Sequence, residues 1–160
     1  MQYFEDLQIG ARTDLGSHNF TAEEIKAFAA RYDPQPFHLD ETAAANSRFK
    51  RLCASGWHTA AVCMRLMIGH LRREDDERRA RGEPVAELGP SPGFRDLRWP
   101  KPVYADDIIS YASEIMATRP LNSRPGWGLM TIHNTGTNQH GDLVIAFLSS
   151  AFVERRSVDR

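Results

Sequence analysis

Between Trp57 and Leu71 apolar side chains recur so densely (Trp57, Ala60, Ala61, Val62, Cys63, Met64, Leu66, Met67, Ile68, Leu71) that they would cover most of a helix's circumference. A helix that is apolar nearly all round is one that other elements cover, so this stretch demands a layer to bury it. It contains His58, Arg65 and His70, and it is too short and too polar to cross a bilayer. The C-terminal half of the chain can supply the cover, because it is strand-like. Four runs read as strands: Phe94 to Trp99, Ile108 to Thr118, Gly128 to Thr137 and Asp142 to Val153. The third alternates, with Leu129, Thr131, His133 and Thr135 on one side and Met130, Ile132 and Asn134 on the other. The fourth is apolar on both faces, which predicts an interior strand. Asn138 to Gly141 supplies the turn between them.

Upstream, Thr21 and Glu24 have the spacing of a capping box. Ile25, Phe28, Ala29 and Tyr32 come next at helical spacing, and Asp33-Pro34 ends the helix, because the residue before a proline is driven out of the α region. Asp33 to Phe49 reads as irregular, with a short Ala-rich piece at Glu41 to Ala45. The buried helix is expected from about Gly56 to about Arg73. Beyond it lies a charged run, Arg72 to Glu83, in which Glu74/Arg78, Asp75/Arg79 and Glu77/Arg81 stand in the favourable i,i+4 order. That run either extends the helix into solvent or forms a solvated loop. The order of elements is α+β: an antiparallel sheet wrapped around a central buried helix, the hotdog architecture, in a single domain over 1–160.

A chain of 160 residues with net charge −1 has no global basic field to hold nucleic acid or an anionic membrane surface, though a local basic patch for a phosphorylated ligand stays open. Cys53 and Cys63, ten apart, form neither a disulfide framework nor a CxxC pair, and read as small apolar residues in a reducing cytosol. Met1 to Asp6 has no basic n-region and no apolar h-region, so a cytoplasmic location is expected.

Two segments carry groups suited to chemistry. Asp33-Pro34-Gln35-Pro36-Phe37-His38 puts a carboxylate, an amide and an imidazole on backbone that two prolines stiffen; a general acid/base pair needs two titratable groups held a few ångströms apart. The alternative is a helix stop and then a loop histidine. Cys53-Ala54-Ser55-Gly56-Trp57 opens the buried helix. Ser55 suits the cap, and first-turn amides such as that of Gly56, with the helix dipole, suit developing negative charge. The alternative there is a glycine that relieves a packing clash. No GxSxG elbow, HExxH or phosphate-cradling glycine loop occurs, and His38-Leu39-Asp40 alone is weak evidence for a metal.

Taken together, the two segments resemble the MaoC-like acyl dehydratases, which include (R)-specific enoyl-CoA hydratases. That family's motif has an Asp, an Asn two residues on, a His at the fifth position after the Asp, and a Gly opening the central helix about eighteen residues later. Asp33, His38 and Gly56 stand at those positions. Tyr3 to Gly10, Leu97 to Val103 and Asn138 to Asp142 look like the family's opening, its strand after the helix and its last hairpin. Gln35 stands where hydratases often carry Asn, and Met64 where some carry a serine.

The resemblance implies reversible hydration of a trans-2-enoyl-CoA to an (R)-3-hydroxyacyl-CoA. In that reading Asp33 and His38 activate water, Gly56 N–H stabilises the enolate, and Gln35, Ser55 and Trp57 bind substrate. No metal or redox cofactor is implied; coenzyme A is the substrate's handle. A homodimer is expected, with acyl-CoA as the small-molecule partner. A hotdog thioesterase and a non-catalytic acyl-CoA-binding domain are the alternatives.

Overall fold

A computed structural model describes residues 1–156. The last positions of the expected domain, 157–160, lie outside the described residues. A 3-10 turn at Phe4–Asp6 precedes β1 (Arg12–Asn19). The helices α1 (Ala22–Tyr32), α2 (Pro36–Leu39), α3 (Glu41–Asn46) and α4 (Gly56–Ala80) come next, and then β2 (Gly93–Arg98), β3 (Ile108–Pro120), β4 (Trp127–Thr137) and β5 (Leu143–Glu154). The strands form one five-stranded sheet in the order β1-β3-β4-β5-β2, every pair antiparallel. This is the α+β hotdog arrangement expected from the order of elements. The doubly apolar β5 lies inside the sheet between β4 and β2.

The main core joins Leu15, Phe20, Ile109, Tyr111, Val144 and Ile145 from the sheet side to Ile25 of α1 and to Val62 and Cys63 of α4. On β4 the buried positions are the even-numbered ones, Met130 and Asn134 among them, which is the face the alternation assigned together. A second cluster gathers Met1, Met130 and Val153. Between the two clusters a cavity of about 440 Å³ runs along α4, walled by Met64, Met67, Ile68 and Leu71 on the helix and by Leu15, Ile115, Met130 and Ile132 on the sheet.

Four expectations are corrected. First, α4 is not buried all round. His58, Thr59, Val62 and Cys63 are buried, whereas Trp57 is 52% and Met64 48% exposed. One sheet layer covers one side of a helical cylinder, and nothing among the described residues covers the other. Second, the segment Asp33 to Phe49, expected to be irregular around a short Ala-rich piece, holds two short helices, α2 and α3. Pro36 occupies the first turn of α2, where its missing N–H costs nothing, and Asp40 Oδ1 accepts from Ala43 N–H at 2.8 Å to cap α3. Third, the charged run continues α4 to Ala80, but only Glu74–Arg78 pairs as expected, at 3.6 Å. Arg79 turns to Asp76 and Arg81 to Glu83, while Asp75 faces the Met1 amine. The capping box is likewise half made: Thr21 Oγ1 accepts from Glu24 N–H at 3.2 Å, but the Glu24 carboxylate goes to His18 Nε2.

Candidate active site

Asp33 closes α1 and Ser55 precedes α4, and the fold sets them side by side. Ser55 Oγ donates to Asp33 Oδ2 at 2.6 Å and accepts from Trp57 N–H at 3.2 Å, so one hydroxyl both caps α4 and holds the carboxylate. Gln35 Nε2 donates to Asp33 Oδ1 at 2.8 Å. The turn of α2 brings His38 Nε2 to 3.5 Å from Asp33 Oδ2. On the far side of the ring, His38 Nδ1 lies 2.7 Å from the Cys53 carbonyl oxygen. A carbonyl can only accept, so Nδ1 carries its hydrogen and Nε2 is the nitrogen that gains or loses a proton facing Asp33.

Burial pushes the Asp33 carboxyl up, but the hydrogen bonds from Ser55 and Gln35, with the charge of His38, outweigh it and hold the group below the ordinary aspartate range. The site is therefore a carboxylate beside an imidazole, with each oriented by a fixed partner on its other side. Such a pair can bind a water between them and move its proton.

Gly56 is the first residue of α4, and its N–H has no partner among the described residues, as expected in the first turn. A Cβ at this position would lie 2.5 Å from the Trp99 indole. Packing therefore excludes a side chain here whatever the amide does. The Trp57 ring meets Trp99 edge to face at 5.3 Å, so Trp57 joins the hydrogen-bond network through its N–H alone. Asp33, Gln35, His38 and Ser55 are thus brought into direct contact, with Gly56 adjacent.

Sequence reasoning missed two links. One is the Asp33–Ser55 bond, which spans 22 positions and has no local signal. The other is the Cys53 carbonyl, a main-chain atom that no residue type announces. Three other titratable side chains, His58, Cys53 and Cys63, are buried in the core. His58 stacks on Phe28 at 4.5 Å, and burial lowers it to about 4, so it is neutral. Burial pushes the Cys53 thiol up to about 11 and that of Cys63 to about 12. No group of three or more His, Cys, Asp or Glu side chains among the described residues has a metal-holding arrangement. Among the same residues, no helix is long and apolar enough to cross a membrane.

Comparison with known proteins bears on this site. The family model described as "MaoC like domain" matches residues 7–123, which include Asp33, His38 and Gly56. The chain is similar to the crystal structure of a MaoC-like dehydratase from Rhodospirillum rubrum, with 35% identity, 99% of this chain and 100% of that one covered, and a TM-score of 0.81. It is 27% identical over 135 residues to the uncharacterized protein YdeM of Bacillus subtilis (strain 168), covering 84% of this chain and 86% of that one. In fold it also resembles the R-hydratase PhaJ1 from Pseudomonas aeruginosa in its unliganded form, at 20% identity, 99% and 92% coverage and a TM-score of 0.69.

Proposed function

The chain belongs to the MaoC-like domain family, and from that premise we propose that it hydrates a trans-2-enoyl thioester reversibly, with coenzyme A as the carrier, to give the (R)-3-hydroxyacyl thioester. The observation that carries this reading is the Asp33–His38 pair, each member fixed from behind, at the N-terminal end of α4.

In the hydration direction, water sits between Asp33 Oδ2 and His38 Nε2. Asp33 takes its proton as the oxygen attacks C3. The C2–C3 π electrons move onto the thioester as an enolate. The Gly56 N–H, at the positive end of the α4 dipole, stabilises the enolate oxygen. Protonated His38 delivers a proton from Nε2 to C2, and the proton on Asp33 passes to His38 to restore the pair. One water is consumed, and neither a metal nor a redox cofactor is needed. Acyl carbons beyond the reacting pair run along α4 into the 440 Å³ cavity, whose wall begins at Met64, about 12 Å along the helix axis from Gly56.

The exposed apolar side chains Trp57, Met64, Phe94 and Trp99 suit a homodimer in which a second copy covers the open side of α4. Light scattering at micromolar concentration should give twice the chain mass; a monomer would remove the dimer from this reading. The two free, buried cysteines suit a reducing cytoplasm. The activity is tested with crotonyl-CoA. The enoyl absorbance should fall with no free thiol released. Thiol release would assign a thioesterase, and binding without either change a non-catalytic domain.

A further inference from the structure

The loop 47–51 links α3 to the segment that carries Cys53, and it is held to the Asp33–His38 pair from two sides. The Phe49 ring packs on Phe37 at 4.9 Å, and Phe37 meets His38 edge to face at 4.6 Å. The Tyr104 hydroxyl donates to the Phe49 carbonyl at 3.2 Å, while Cys53 and Tyr104 form an antiparallel bridge. Within the loop, Ser47 Oγ accepts from Phe49 N–H at 3.1 Å.

Outward, this loop presents concentrated positive charge. Arg48, Lys50 and Arg51 are all exposed, and none has a carboxylate partner among the described residues. The nearest acids along the chain are engaged elsewhere, Asp40 in capping α3 and Glu41 with Lys26 at 2.6 Å. Two of the cations are laid over aromatic rings: the Arg51 guanidinium 4.7 Å from the Tyr104 ring centre, and that of Arg48 5.8 Å from Phe49. Stacking fixes a guanidinium while leaving its N–H edge free for an anion. Arg51 also walls a recess of about 270 Å³ in which Lys101 and His140 face the same space. The carboxylates of that recess are already bonded, Asp142 to Lys101 at 2.5 Å and Asp107 to Gln139 at 2.9 Å.

In a chain of net charge −1, three such cations within four residues concentrate positive charge on one loop. Arg51 stands two residues before Cys53, whose carbonyl holds His38, so the Cα atoms of residues 51 and 53 are within about 7 Å. We propose that Arg48, Lys50 and Arg51 bind the phosphates of the coenzyme A nucleotide, leaving the pantetheine arm to reach the Asp33–His38 pair. This rests on the thioester reading of the site, which it deepens by naming where the carrier is recognised.

The test compares crotonyl-CoA with crotonyl-pantetheine, which lacks the nucleotide and its phosphates. Arg51→Ala should raise KM for crotonyl-CoA about tenfold, the scale of one lost charged hydrogen bond. The triple variant Arg48→Ala/Lys50→Ala/Arg51→Ala should raise it at least about 100-fold, with the effect confined to KM. With crotonyl-pantetheine the wild type and the variants should have the same KM. Adenosine 3′,5′-bisphosphate should bind the wild type in calorimetry, more weakly at high salt, and fail to bind the triple variant. Equal rises in KM for both thioesters would overturn the proposal. So would bisphosphate binding that the triple variant retains, or a KM effect seen only with an enoyl-acyl carrier protein. If the wild type hydrates neither thioester, the hydratase reading fails, and bisphosphate binding still decides the anion site by itself.

Discussion

Two stretches of α4, its first turn and the turns from Met64 to Leu71, are built on opposite principles. At its first turn the side chains are locked by crossed hydrogen bonds: Ser55 to Asp33 at 2.6 Å, Gln35 to Asp33 at 2.8 Å and His38 to the Cys53 carbonyl at 2.7 Å. Two turns on, the same helix lines a cavity of about 440 Å³ with Met64, Met67, Ile68 and Leu71. Methionine is unbranched and adapts to what it meets, and an unfilled apolar space lacks the close contacts that fix a core. On the proposed hydratase reading, the difference separates two tasks. Proton transfer needs groups held to a fraction of an ångström, whereas an alkyl chain needs only room and an apolar wall.

Removing the locked groups should have the largest effects. Asp33→Asn and His38→Ala should each lower hydration by between about 10² and 10⁴, the range that positioned acid/base groups supply, while both proteins stay folded by circular dichroism. Near-normal turnover in either folded variant would detach that residue from the chemistry.

Gly56→Pro should lower turnover by about 10²–10³ if its amide is the oxyanion donor. Packing is a confounder, because a Cβ at residue 56 collides with Trp99. Gly56→Ala/Trp99→Ala removes the collision and keeps the N–H. Recovery of turnover in that double variant, but not in Gly56→Pro/Trp99→Ala, assigns the loss to the donor. Equal recovery in both assigns it to packing.

Ser55→Ala should act through the carboxylate, lowering turnover about tenfold, the scale of one charged hydrogen bond. It also removes one of the bonds that hold Asp33 below its ordinary value, so the Asp33 titration should move up toward the ordinary range. This fixes the sign for stability. A depressed carboxyl contributes stability that is present above its unfolded value of 3.8 and is lost as pH falls through the lower folded value. The stability difference between wild type and Ser55→Ala should therefore shrink below about pH 4 in acid titrations monitored by fluorescence. A constant difference would mean that Ser55 acts only as a helix cap.

The smallest effects belong at the adaptable stretch, Met64 to Leu71. Met67→Leu keeps the volume and should cost less than about 1.5 kcal/mol in denaturant unfolding. Met67→Phe should leave crotonyl-CoA turnover near normal while reducing that of enoyl-CoA thioesters long enough to enter the cavity. Equal loss across chain lengths would break the division of labour between the two stretches.

Legibility in the sequence obeys the same divide between what is local and what is not. The Thr21 cap and the alternation of β4 are readable because each depends on neighbours along the chain. The burial of α4 is overread, because counting apolar residues gives the number of faces that want cover and not the number of layers available. The turn at Pro36–Leu39 escapes notice although proline is at home in a first helical turn, since the same prolines also suit extended backbone. Asp33, His38 and Gly56 are singled out through a motif. What holds Asp33 and His38 is not, because Ser55 meets Asp33 only once α1 and α4 are packed, and the Cys53 carbonyl belongs to the backbone.

That carbonyl has an evolutionary consequence. The group that sets the His38 tautomer is a peptide oxygen, and every amino acid supplies one. Substitution at position 53 can change the thiol without deleting the acceptor. What has to be inherited is the path of the chain, which is secured by Ala54 N–H to the Val103 carbonyl at 2.8 Å and Ala105 N–H to the Leu52 carbonyl at 3.1 Å. The orientation of the imidazole is thereby insulated from drift at residue 53. It is instead exposed to drift in the neighbouring segment 103–105, whose backbone fixes where residue 53 lies.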